Sequence, residues 1–204
     1  MEVNRSKLKE KYGDEKVFVI TPDVVSGIPD KFTKQRHDAN IWSKYDNIGK
    51  YIPRWQAEYN YAFQQLIPYF LVCNQDETKY FVSKRLKGDH RLKNKLSLGF
   101  GGHIDECDGY NECVLHALGR EMNEELIIEP ISKAQFIGTI RDLTSDTNDH
   151  FGLAFIIKAE EDKVEINEKD KLEGVWMSKE ELFEHYYSFE NWSKYIIDYL
   201  YENK

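Results

Sequence analysis

Covalent staples are scarce in this chain: its 204 residues include three cysteines, Cys73, Cys107 and Cys113, with no C-x-x-C spacing. That excludes a disulfide framework and a zinc-ribbon site. No apolar run approaches the ~18 residues a membrane span needs. The opening MEVNRSKLKEKYGDEK is charged throughout and lacks the apolar core of a signal peptide. Cytoplasmic residence without a membrane partner is therefore the expectation. Basic charge is also short, with 28 Lys and Arg against 36 Asp and Glu and a net charge of -8. Duplex nucleic acid, which needs a basic stripe, is not an expected partner. A small anionic substrate stays open, because bound divalent cations reverse the local sign. What is present is a globular composition, 41% hydrophobic and 14% aromatic, long enough for one domain burying about 70% of its unfolded surface.

The chain carries no repeat and no low-complexity linker. VFVIT (17–21) reads as a short strand ended by Pro22. From Asp23 to about Gln64 the sequence is turn-rich, with Gly27, Pro29, Gly49 and Pro53, yet it holds Trp42, Trp55 and several tyrosines. Residues 1–64 are expected to be an irregular extension packed on a main body of residues 65–204, within one structural domain. LIPYFLVC (66–73) and KYFVSKR (79–85), separated by NQDET, form a hairpin signature, and LSLGF (96–100) is a third strand ahead of a glycine pair. From about Asn111 the period changes. Leu115, Leu118, Met122 and Leu126 recur every three or four residues, which predicts an amphipathic helix. QFIGTIRDL (135–143), FGLAFIIKAE (151–160) and LEGVWMS (172–178) are further strands. A helix follows, with Ser178 as N-cap and Glu181 at the capping-box position. Strands, one amphipathic helix, more strands and closing helices give an α/β sandwich with a mixed sheet.

The chemistry lies in GGHIDECDGYNECVLHALGREMNEELII (101–128). Glu121, Glu124 and Glu125 fall within roughly a 100° arc of the helix, with the apolar stripe beside it. Three carboxylates so close repel one another, and a helix with no use for them would interleave lysines. A solvated acidic face is the plain alternative. Arg120, four residues before Glu124, could neutralise it and leave Glu121 and Glu125 facing a shared position. Hard oxygen donors of this kind suit Mg²⁺ or, as a substitute, Mn²⁺.

This segment resembles the box of the Nudix hydrolase family, G-x5-E-x7-R-E-U-x-E-E-x-G-U with U aliphatic. R-E-M-N-E-E (120–125) fits at every position, Ile128 fits the last aliphatic, and Glu112 stands eight residues before Arg120. Two departures are present. Nine residues instead of five separate Gly102 from Glu112, so the loop into the helix carries four extra, CDGY or its neighbours. Ile127 replaces the family glycine, which predicts a different exit from the helix.

The resemblance implies an α/β/α sandwich with a mixed sheet and metal-dependent cleavage of a diphosphate linkage in a nucleoside diphosphate joined to another group. It implies metal ligands at Glu121, Glu124 and Glu125, joined by the Gly101 carbonyl. It also implies an orienting role for Arg120, a close backbone approach at Gly102 and a brace at the loop–helix junction from Glu112. Arg85, closing a strand before the box, and His103, just after the glycines, are candidate substrate-binding residues. Asp105 and Glu106 are either a further ligand or solvated turn acids. Family members often carry an additional base just before the late tryptophan strand. Glu168, Asp170 and Glu173 are the candidates, Asp170 the choice, and His150 beside Asp149 a weaker option. The aromatic extension covers the site, forms a subunit contact, since family members are often homodimers, or simply adds to the core. Two other readings remain: a ligand-binding or regulatory domain of the same fold, which typically loses its box glutamates, and a diphosphate isomerase, which needs a catalytic cysteine.

Overall fold

A computed structural model of the chain describes residues 3–35, 42–86, 95–144, 148–167, 169–170 and 172–202. The chain opens with α1 (Arg5–Tyr12), β1 (Lys16–Ile20), β2 (Lys31–Lys34), α2 (Ser43–Asp46), β3 (Lys50–Pro53) and α3 (Arg54–Ala57). The long central strand β4 (Gln64–Cys73), its partner β5 (Lys79–Arg85) and the short β6 (Leu96–Ser97) and β7 (Gly99–Gly101) follow. After α4 (Cys113–Glu125) come β8 (Leu126–Pro130), β9 (Gln135–Arg141), β10 (His150–Ile166), β11 (Leu172–Ser178), α5 (Lys179–Glu184) and α6 (Asn191–Glu202). The principal strand order is β11-β5-β4-β10-β9-β2. β4 and β10 run parallel at its centre while their other pairings are antiparallel, which makes the sheet mixed.

Alternation along β4 explains the layers. Leu66, Phe70 and Val72 face one side, where Val114, Ala117 and Leu118 of α4 pack on them. Ile67, Tyr69 and Leu71 face the other, against Leu182 of α5 and Trp192, Ile196 and Ile197 of α6. Every residue of β4 is buried, as a strand covered on both faces requires. The result is the α/β/α sandwich expected from the sequence. Ser178 caps α5 as read, its hydroxyl accepting from the Glu181 amide while the Glu181 carboxylate accepts from the Ser178 amide.

Residues before 64 join the same sheet: β1 pairs with β4 and with β3, and β2 lies along β9. Trp42 is buried in the core, in keeping with packing as its role. The sequence reading did not separate β8 from the helix before it. Leu126 is already extended, so α4 passes directly into a strand, and Ile127 needs none of the left-handed freedom of a glycine.

Candidate active site

The buried face of α4 is formed by Cys113, Val114, Ala117 and Leu118 in its first half. Continued at helical spacing, the same face arrives at Glu121 and Glu125. Glu121 and Glu125 are therefore in line with the buried stripe, not beside it as the sequence suggested, while Glu124 points to solvent. Glu125 is buried, the Glu121 side chain is 12% exposed and that of Glu124 55%.

What makes room for them is the end of β7. Gly101 has φ +143, and a Cβ there would stand 2.1 Å from the Pro68 carbonyl oxygen, so only glycine fits. A Cβ on Gly102 would stand 2.5 Å from Oε1 of Glu121. The Gly101 amide donates to Oε2 of Glu125 at 3.3 Å. Backbone and carboxylates thus meet where the sequence placed them.

Arg120 organises the group, pairing with Glu124 as expected and more closely with Glu121 and Asp108. Its Nη1 donates to Glu121 at 2.6 Å and to Glu124 only at 3.4 Å. Its Nε and Nη2 grip Asp108 at 3.1 and 2.9 Å, and Nη2 also donates to the His103 carbonyl at 2.7 Å. Burial disfavours the charged guanidinium, but the Asp108 and Glu121 carboxylates outweigh it and its pKa is raised. The Glu121 carboxyl is pushed up by burial, with Arg120 pulling it back and Glu124 and Asp105 adding to the rise.

The brace assigned to Glu112 belongs to Asp108. Glu112 is exposed, sits in the left-handed region at φ 53 and makes no side-chain cap bond at the start of α4. Asp108 is buried and also accepts from the Asp105 amide at 2.8 Å. It follows Gly102 after five residues, so the four extra residues fall after it, at 109–112. That spacing was a readable signal. The cap that Glu112 fails to supply comes from the extension: Oδ1 of Asp46 accepts from the Val114 amide at 3.2 Å and from the Cys113 thiol at 3.0 Å. No motif announced it.

The extension reaches the loop at further points. The Phe18 amide donates to the Ile104 carbonyl at 3.0 Å, the Tyr51 hydroxyl to the Gly109 carbonyl, and Lys16 pairs with Glu106 at 2.7 Å. Glu106 is thereby a surface ion-pair partner, while Asp105 lies 3.9 Å from Arg120 with its pKa raised by burial. His103 is in ring contact with His150, centroids 5.4 Å apart. His150 Nδ1 lies 2.8 Å from Oδ1 of the fully buried Asp149.

At the other end of α4, Asn167 seals the helix. Its amide donates to the Glu125 carbonyl at 2.8 Å and its side chain to the carbonyls of Asn123 and Glu124. Asp170 is exposed on the turn that follows, and no hydrogen bond or ion pair among the described residues ties it to the glutamates. Glu168 lies outside the described residues. Glu173 is exposed and borders a cleft of about 560 Å³ beside Phe81, Ile166 and Trp176. Arg85 pairs with Leu172 at the end of β5, and its side chain lies outside the described residues.

The three glutamates and the Gly101 carbonyl are the donors that a divalent ion would meet. All donors are hard oxygens, and Gly102 leaves open the cradle that a Cβ would fill against Glu121. Among the described residues, no three acidic, histidine or cysteine side chains close on a single point. A Mg²⁺ that keeps several waters and takes a few carboxylates needs no closed cage, so the donor set suits it.

A family model for the NUDIX domain matches residues 67–200. The chain belongs to the Nudix family. It is 33% identical over 181 residues to Protein YmaB of Bacillus subtilis (strain 168), covering 83% of this chain and 86% of that protein. The crystal structure of Tm1382, a candidate Nudix hydrolase, superposes with a TM-score of 0.78 at 27% identity, over 93% of this chain and 100% of that one. A bifunctional NMN adenylyltransferase/ADP-ribose pyrophosphatase from Francisella tularensis, in complex with AMP and a manganese ion, shares the fold. Its TM-score is 0.54 and its identity 18%, covering 69% of this chain and 42% of that one. Nudix membership and fold support a hydrolase. Among the described residues, no helix is long and apolar enough to cross a membrane.

Proposed function

We propose that the protein hydrolyses a diphosphate linkage in a nucleoside diphosphate joined to another moiety, or in a related small molecule, with Mg²⁺ or Mn²⁺ as cofactor. One observation carries the reading. The buried face of α4 turns acidic in its last two turns, directly against the glycine pair. Burying carboxylates costs several kcal/mol per ion unless they are compensated, and here one arginine is shared among three acids. A divalent ion bound beside them would supply the missing positive charge.

Glu121, Glu124 and Glu125, with the Gly101 carbonyl, are the groups that would hold the ion. When bound, it supplies a water of lowered pKa and cancels charge on the phosphates. Arg120 keeps Glu121 oriented and, through Asp108 and the His103 carbonyl, locks the loop to the helix. Gly101 and Gly102 let the backbone approach the phosphates without a side chain in the way. His103, next to the pair, is the candidate to meet the substrate, and Asp170 is the candidate base on the neighbouring turn. The isomerase alternative is weakened by the thiols. Burial pushes Cys73 up to about 12 and raises Cys113 as well, which leaves Cys107 as the exposed one.

The test is a panel of nucleotide sugars, ADP-ribose, dinucleoside polyphosphates and nucleoside triphosphates, assayed with Mg²⁺ and Mn²⁺. Turnover that is lost in Glu121→Gln and Glu125→Gln supports the reading. A wild type inert on every compound, yet binding one of them, would move the assignment to a ligand-binding Nudix domain.

A further inference from the structure

Beside the glycine turn lies a second group of titratable side chains that the proposed reaction leaves unused. Asp149 has no solvent exposure, yet its carboxylate takes three donors: the Tyr59 amide at 2.5 Å and Gln65 Nε2 at 3.3 Å on Oδ2, and His150 Nδ1 at 2.8 Å on Oδ1. Burial alone would raise its pKa, but the bonds from His150 and Tyr59 outweigh it and hold the carboxyl below the ordinary aspartate range. A charged carboxylate only accepts, so Nδ1 of His150 is the donor and the bond fixes the orientation of the ring. That ring stands edge-on to His103. His103 is thus held twice, its carbonyl by Arg120 and its imidazole by His150. The Tyr59 amide comes from the extension, from a residue in the left-handed region at φ 54.

We propose that Asp149 and His150 are positioning residues of the glutamate site: anchored to the extension through the Tyr59 amide, the pair fixes the His103 ring and, with it, the Gly101–His103 turn against Glu121 and Glu125. The proposal rests on the reading of those glutamates as a metal-holding hydrolase centre. It gives the extension a part in the chemistry, since one of the three bonds that hold Asp149 comes from Tyr59 of the extension. Neither residue needs to touch substrate.

The experiment uses the full chain, labelled with ¹⁵N, and Mn²⁺ alone as the metal probe. Histidine ring nitrogens and the Gly101 and Gly102 amides are followed by NMR without metal, and Mn²⁺ binding by the electron paramagnetic resonance of the free ion. His150→Asn keeps a donor towards Asp149 and removes the ring. It should shift both glycine amides and weaken Mn²⁺ binding by roughly tenfold, the scale of a group that orients a metal ligand. His103→Ala should do the same, and the double variant should be no weaker than His103→Ala alone, because both act through one ring. Asp149→Asn, similar in shape, is the second variant should His150→Asn fold poorly, and it should shift the ring-nitrogen signals of both His150 and His103. Unmoved glycine amides with unchanged Mn²⁺ affinity would overturn the proposal, as would losses that simply add. A wild type that takes up no Mn²⁺, with glycine amides that still move in His150→Asn, would remove the metal-dependent reading and leave the positioning pair standing.

Discussion

The two halves of α4 share one face and treat it in opposite ways. Cys113, Val114, Ala117 and Leu118 fill the space over β4 and β10 as any core helix would. One turn later the same line carries Glu121 and then Glu125, with glycines opposite where a core would place aliphatic side chains. Their supports differ too. The first half is capped by Asp46 of the extension, the second is gripped by Arg120 and closed by Asn167. A local rule broken at one point on an otherwise regular face is what function costs a fold.

The sharpest way to break this comparison is to exchange the expected consequences of substitution. Glu121→Gln or Glu125→Gln should lower turnover by on the order of 100-fold or more, while the melting temperature stays level or rises as a buried charge is removed. Leu118→Ala should do the reverse, costing about 2–5 kcal/mol of stability with turnover per folded molecule retained. Urea denaturation and steady-state assays on the three variants decide it. A Glu121→Gln protein as unstable as Leu118→Ala would mean that the carboxylates are structural.

A smaller effect sharpens the second half. Asp108 is buried against Arg120, whereas Glu112 is exposed. Asp108→Ala should cost about 2–4 kcal/mol, somewhat less than breaking a fully buried pair because Arg120 is partly open to solvent. Glu112→Gln should stay within about 0.5 kcal/mol. Equal losses in chemical denaturation would restore the brace to Glu112. The first half is probed by Asp46→Ala, which should cost about 1 kcal/mol as the loss of an N-cap, read as a lower denaturation midpoint.

This contrast also explains what could be read beforehand. Periodicity finds the core half of α4, and charge spacing finds Arg120, Glu121, Glu124 and Glu125, because both are local properties of one helix. The strand alternation of β4 and the capping box at Ser178 and Glu181 were legible for the same reason. Asp46 capping a helix 67 residues further on, and Tyr59 donating to a carboxylate 90 residues away, are products of the sheet that brings β1 to β4. Neither leaves a pattern in the sequence. Asp108 lies between these cases. Its five-residue distance from Gly102 was visible, but Glu112 satisfied the spacing from Arg120 and drew the assignment. Only the structure shows which end of the loop absorbed the extra residues.

Whether the extension supports the packing half alone, or the acidic half as well, can be asked by acid titration. Asp149 is held by Tyr59 of the extension and oriented towards the glycine turn through His150 and His103. Its folded pKa is depressed, so the unfolded chain binds this proton first as the pH falls. The stability it contributes is complete above the ordinary aspartate range near 3.9 and is lost as the pH drops through the lower folded value. Asp149→Asn should therefore flatten the loss of stability below about pH 4 and leave the slope above it unchanged, as read by urea midpoints across the acid range. If the variant keeps the wild-type slope, the Asp149 carboxyl titrates alike in the folded and the unfolded chain and gains nothing from its bonds to Tyr59 and His150. The link from the extension through Asp149 and His150 to the acidic half of α4 would then carry no stabilising energy.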